Sequence, residues 1–190
     1  MHRTEAPTAN VKPIVVLADG TIEPEEHTEE ERRFYEGWQP LARPHLKDEA
    51  ASRRLRSRIK AKPKLCWFNA RKAIQKLDEY ADASYVEGHI VLKDGFGPIE
   101  HGWIVRDGVI IDPTLPDSVG AYYPGLEFAG RSGIEEFLAT PQGKACKRSP
   151  FFFAFGWGGM LSPGYRRAYE ESMEFVRGLY PESSVLSDSP

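Results

Sequence analysis

The chain has 190 residues and 21.4 kDa, with 41% hydrophobic and 12% aromatic residues, which suits one globular domain with its own core. A formal net charge of -3 and a pI near 6.0 exclude a general attraction to nucleic acid or acidic membranes. Two cysteines, Cys66 and Cys146, are too few for a disulfide framework and point to a reducing compartment.

No apolar run approaches the roughly 18 residues of a transmembrane helix, and MHRTEAPTANVKP lacks the hydrophobic segment of a secretory signal. A soluble, cytoplasmic protein is expected. Residues 1–22 read as a tail with one short strand, Ile14 to Leu17, closed by Asp19-Gly20. A single domain spans 23–180, and 181–190 form a second tail. Residues 23–31 carry six glutamates, and Thr28 with Glu31 has capping-box spacing, so a helix runs from there through Phe34 and Tyr35 toward Gly37. Pro40 and Pro44 mark a connector.

From Lys47 to Lys60 apolar residues recur at Ala51, Leu55 and Ile59, the spacing of one helix face. Arg53, Arg54, Arg56, Arg58, Lys60, Lys62 and Lys64 put seven positive charges into twelve residues. Such a block is ordinarily a solvated face balancing the acidic stretch upstream. Anion or nucleic-acid binding is the minor reading, because neither interleaved aromatics nor a nucleic-acid module accompanies it.

Pro63 ends that segment, and Cys66 to Tyr80 reads as the next helix, with Trp67, Ala70, Ile74 and Leu77 on one stripe. Cys66 therefore falls in its first turn. Residues 85–92 form a strand and Asp94 to Pro98 a glycine-rich turn. His101 to Thr114 reads as a β-hairpin around Asp107-Gly108, the dipeptide suited to a two-residue turn with positive φ at both positions. In that register Arg106 faces Val109, Trp103 faces Asp112 and His101 faces Thr114. His101 and Asp112 become diagonal neighbours on one face, roughly 7–8 Å apart at the backbone. Residues 113–130 read as loop, 134–139 as a short helix, and Phe151 to Met160 as a buried strand or pocket wall. Ser162 and Pro163 open a last helix to Tyr180.

A thiol at a helix start is activated by unpaired N–H groups and the positive end of the helix dipole. An imidazole beside it supplies a general base, and a carboxylate fixes the imidazole tautomer. Cys66, His101 and Asp112 offer these parts in order. Each also has a plain structural reading: a cysteine at a helix start is commonly a small buried hydrophobe, a strand histidine a satisfied polar residue, and Asp112-Pro113 a strand end. Cys146, in GKACKRS, reads as an exposed, incidental thiol, and Glu87 and Glu100 as solvent-facing. His45, His89, Cys66 and His101 lack metal-ligand spacing, so neither a metal nor another cofactor is expected.

The order Cys66 with Asn69-Ala70, Tyr85-Val86-Glu87-Gly88, His101-Gly102-Trp103 and Asp112-Pro113-Thr114 resembles the transglutaminase-like branch of the papain-like cysteine proteinase superfamily, across residues 60–115. The resemblance implies an α+β, papain-like core, with N-terminal helices packed on an antiparallel sheet. It also implies Cys66 as nucleophile, His101 as base and Asp112 as the residue orienting it. Gly102 stands where the family usually has alanine, and no glutamine shortly precedes Cys66. The second oxyanion donor is therefore open, with the Trp67 N–H and Gln39 the candidates.

The activity expected is that of a thiol-dependent hydrolase, a peptidase or amidase working through a Cys-His-Asp triad and a thioester. Two alternatives stand beside it: an acyltransferase using an amine acceptor, and an inactive binding protein of the same fold whose basic 53–64 segment meets an anion. The partner expected is a peptide, amide or ester substrate, with Trp67, Trp103 and Trp157 as walls of its site; neither a membrane nor nucleic acid is expected as partner.

Overall fold

The structure is a computed structural model that describes residues 27–40 and 46–180; the strand expected at 14–17, His45 and both tails lie outside the described residues. Helix α1 (Glu29–Glu36) opens on the capping box read from the sequence, with the Glu31 N–H donating to Thr28 Oγ1 at 3.2 Å and the Thr28 N–H to Glu31 Oε2 at 2.8 Å. Strand β1 (Leu46–Lys47) leads into α2 (Glu49–Ile59), capped by the Asp48 carboxylate on the Ala51 N–H. Its apolar stripe, Ala51, Leu55 and Ile59, is buried as the periodicity requires.

Helix α3 (Cys66–Lys76) starts where expected but is four residues shorter. Leu77 turns extended, and Asp78–Tyr80 form a separate 3-10 turn. Ala70, Ala73 and Ile74 have no exposed surface, while Trp67 and Leu77 pack at the margin of the same core.

Four further strands follow: β2 (Ser84–Leu92), β3 (Ile99–Arg106), β4 (Val109–Ile111) and β5 (Val119–Phe128). The hairpin register is the one its turn dictates, with Arg106 opposite Val109, Val105 opposite Ile110 and Ile104 opposite Ile111. Asp107 and Gly108 both have positive φ, 52° and 73°. The sheet order is β1-β4-β3-β2-β5, antiparallel except for β1 on β4.

Strand β5 occupies much of what reads as loop between Pro113 and Gly130. Gly120, Pro124 and Gly125 disguise it. Two register shifts between β2 and β5 absorb them: one between Glu87 and Gly88, opposite Pro124 to Leu126, and one between Val91 and Leu92, opposite Val119 to Ala121. The remaining helices are α4 (Gly130–Ala139), α5 (Pro141–Ala145) and α6 (Pro163–Leu179), the last capped by Ser162 with Pro163 in its first turn. The described residues thus make a mixed α+β fold with a five-stranded sheet and six α-helices. None of those helices is long and apolar enough to cross a membrane.

Phe151 to Met160 is neither strand nor sheet edge. It forms two 3-10 turns, Phe151–Phe155 and Trp157–Gly159, separated by Gly156 in the positive-φ region. Phe151, Phe152 and Phe155 are buried, whereas Phe153 and Trp157 face solvent.

The sheet has a core on each face. Tyr85, Ile104, Leu126 and Phe128 meet α2, α3, α4 and the phenylalanine turn on one side. Val86, Ile90, Trp103, Ile110, Val119 and Tyr122 pack together on the other. Position 102 sets how closely α3 approaches the sheet. A Cβ at Gly102 would lie 2.8 Å from the Trp67 Cα and 3.1 Å from its backbone nitrogen, so the start of α3 rests directly on the β3 backbone.

Alanine at 102 must therefore push α3 outward. Gly102→Ala is expected to cost about 1–3 kcal/mol, lowering the melting temperature by about 2–4 °C per kcal/mol in a chain of this size. Differential scanning calorimetry checks this, and an unchanged melting temperature would show that α3 is free to shift.

Candidate active site

The lead-in to Cys66 is held from within α3. Asn69, one turn into the helix and buried, donates from Nδ2 to the Lys62 carbonyl at 2.7 Å and accepts from the Lys62 N–H at 3.1 Å. The same amide donates to Thr114 Oγ1 at 2.9 Å, tying the cysteine helix to the segment that carries Asp112. Leu65, the residue before Cys66, makes no side-chain cap. The first-turn N–H groups thus face the site without a capping oxygen.

The hairpin brings His101 and Asp112 together, with His101 Nε2 2.8 Å from Asp112 Oδ2. Strand β4 pairs only with Ile104 to Arg106 of β3, so His101 lies beyond its end on that side. Asp112 has no exposed surface and is surrounded by donors. Its Oδ1 accepts from the N–H groups of Thr114 at 2.9 Å and Leu115 at 3.0 Å, and its Oδ2 accepts from the Tyr122 hydroxyl at 2.9 Å. Its own N–H donates to Ser52 Oγ of α2 at 2.9 Å.

The charges follow from these contacts. Burial alone would push the Asp112 carboxyl up, but the His101 charge and the hydrogen bonds from His101, Leu115 and Thr114 hold it down at about 2. Burial would likewise pull His101 down. The Asp112 carboxylate opposes this, and Cys66 adds to it through a side-chain hydrogen bond and its charge, so the imidazole is raised to about 10. At neutral pH His101 and Asp112 form a buried ion pair. With Nε2 committed to Asp112, Nδ1 is the ring nitrogen left for sulfur.

Cys66 and His101 keep only 6% and 5% of their surface exposed, so both lie beneath the protein surface. A cavity of about 210 Å³ lies elsewhere, between α1 and α6, lined by Tyr35, Met160, Pro163 and Arg166 among others.

The three tryptophans expected as walls separate. Trp67 is half-buried beside Cys66. Trp103 is fully buried and stacks with the His101 ring at 6.3 Å, packed in the core beside the imidazole. Trp157 is 91% exposed, on its own turn. Gln39 Nε2 is turned to the Tyr35 carbonyl at 3.3 Å and Ser162 Oγ at 3.4 Å, so its amide serves the junction of α1 and α6.

Other expectations also change. Cys146 is buried, not exposed, and burial together with the Glu87 charge raises its thiol pKa. Glu87 is buried too, accepting from the N–H groups of Phe151 at 2.8 Å and Phe152 at 2.7 Å and from the Tyr85 hydroxyl. Glu100 is exposed. In the basic segment Arg53 pairs with Asp117 and Glu49, Arg58 pairs with Glu79, and Arg56 donates to the Thr114 carbonyl at 3.3 Å. Part of that positive charge is thus turned to the protein's own surface. Among the described residues no three His, Cys, Asp or Glu side chains gather as metal ligands.

Two residues of the site escape sequence reasoning. Tyr122 was hidden with the strand that carries it. Ser52 follows Ala51 on a helix whose periodicity marks only its apolar residues. Comparison with protein-family models, curated proteins and solved structures returned no match to this chain, so the site stands on its own geometry.

The two charges set a pH window. Asp112, lowered from 3.8, contributes stability that is full above that value and lost as pH falls toward 2. His101, raised from 6.5, contributes stability that is full below 6.5 and lost as pH rises through about 10. The difference in urea midpoint between wild type and His101→Gln is therefore expected to be widest between about pH 4 and 6.5 and to shrink on titration to pH 10. A difference constant across that range would mean that His101 is uncharged in the folded protein.

Proposed function

We propose that the protein is a thiol-dependent hydrolase, a peptidase or amidase of the transglutaminase-like, papain-like type, with Cys66 as nucleophile, His101 as its acid–base partner and Asp112 as the orienting carboxylate. The observation that carries this reading is the imidazole of His101, held at 2.8 Å by a fully buried Asp112 and electrostatically linked to Cys66 at the start of α3. The two thiols, both unpaired, suit a reducing, cytoplasmic setting.

A protonated imidazole beside a helix-start sulfur favours thiolate. The thiolate attacks the carbonyl carbon of an amide or ester. The developing oxyanion meets first-turn N–H groups of α3, and His101 delivers its proton to the leaving group. Water then attacks the thioester with His101 as base and Asp112 holding the ring. Hydrolysis is adopted because water needs no acceptor site; capture of the acyl group by an added primary amine faster than by water would make the protein a transferase.

Iodoacetamide and p-nitrophenyl acetate test the reading. Cys66 is expected to alkylate faster than Cys146. His101→Ala is expected to slow both Cys66 alkylation and p-nitrophenol release by about 10²–10⁴-fold, and Cys66→Ala to abolish the release. Mass spectrometry locates the adducts. Equal rates at the two cysteines, unaffected by His101→Ala, would sink the enzyme reading.

A further inference from the structure

Three buried side-chain atoms among the described residues have no hydrogen-bond partner: His89 Nδ1, Trp103 Nε1 and Tyr165 Oη. Such groups are uncommon in folded proteins and call for an explanation. His89 and Tyr165 occur together, with ring centroids 4.8 Å apart and 3% and 0% of their surfaces exposed.

The sheet register places this pair one row from the start of α3. Across β2 and β3, Glu87 is opposite Gly102 and His89 is opposite Glu100. These are successive rows on one face, roughly 7 Å apart along the strands. The first row carries the start of α3, because Trp67 rests on Gly102. The second carries Tyr165, whose ring lies against His89. The tyrosine is confined there: a Cβ at Gly125 would lie 2.6 Å from its ring, one at Gly159 would lie 2.7 Å from it, and Phe152 stacks on it at 5.0 Å.

Burial, followed by the charges of Glu87, Glu100 and Cys66, raises the Tyr165 hydroxyl well above the ordinary phenol range, so it stays protonated. Burial also lowers His89 to about 4, leaving that ring uncharged near neutrality. A protonated, unpartnered hydroxyl one row from the start of the cysteine helix can donate to an oxygen that bears negative charge during the reaction. Gln39, the side-chain candidate read from the sequence, is engaged elsewhere.

We propose that Tyr165 Oη is the side-chain oxyanion donor, hydrogen-bonding the carbonyl oxygen of the ester or amide that Cys66 attacks. The proposal rests on Cys66 being the nucleophile. As the Sγ–C bond forms, the carbonyl π pair moves onto oxygen, and the Tyr165 O–H binds that oxygen without giving up its proton. The pair returns as the C–O double bond re-forms, and the leaving group departs with the proton from His101.

Tyr165→Phe tests it on the full chain, since it deletes only an atom with no partner. The melting temperature is expected to stay level or rise. p-Nitrophenol release from p-nitrophenyl acetate is expected to slow about 10²–10³-fold, while Cys66 alkylation by iodoacetamide, which displaces iodide and forms no oxyanion, holds within about threefold. Ester acylation within about threefold of wild type would overturn the proposal. An equal slowing of alkylation would overturn it as well, because Tyr165 would then act on the thiolate. A wild-type protein that alkylates at Cys66 but never releases p-nitrophenol would instead defeat the hydrolase reading, and this proposal with it.

Discussion

A fully buried carboxylate, Asp112, is the constraint around which this end of the molecule is assembled. Its two oxygens are met by His101 of β3, by the N–H groups of Thr114 and Leu115 just beyond the hairpin, and by Tyr122 of β5. Ser52 of α2 fixes its backbone. The carboxylate's donors come from three separate parts of the chain, and all must arrive for the charge to be tolerated. Removing one partner of a buried pair leaves the other uncompensated, at a cost of about 3–5 kcal/mol.

The opposite face of the sheet carries a second buried carboxylate with a different outcome. Glu87 receives the N–H groups of Phe151 and Phe152 and the Tyr85 hydroxyl, while the Arg71 guanidinium stacks on Phe151 at 4.4 Å. Here burial outweighs the hydrogen bonds and the carboxyl pKa is raised. Among the described residues no imidazole is hydrogen-bonded to Glu87 as His101 is to Asp112. Glu87 accordingly anchors the phenylalanine turn to β2, and Asp112 holds a charged ring.

Features encoded by neighbouring residues were legible. The capping box at Thr28, the buried stripe of α2, the start of α3 at Cys66 and the Asp107-Gly108 turn each depend on contacts within a few positions. The hairpin turn alone determines the pairing of Arg106 with Val109, and the ladder carries that register as far as Ile104 opposite Ile111. Strand β5 was not legible, because Gly120, Pro124 and Gly125 carry local turn preference and only pairing with a bulged β2 overrides it. The phenylalanine run misled for a related reason: its apolar character signals burial but not the geometry that achieves it.

The sequence by itself determined the parts of the candidate relay and their local settings: a cysteine in the first turn of a helix, and a histidine and an aspartate on one face of a hairpin. Their meeting was decided by tertiary structure. Gly102 has no side chain to hold α3 off β3, Asn69 joins that helix to Thr114, and β5 delivers Tyr122 to the carboxylate. Burial was decided there as well, turning Trp103 and Cys146 inward and leaving Trp157 in solvent. Short-range pattern can specify turns, caps and faces. Which faces meet, and which charges lose their water, depends on contacts between residues far apart in the chain.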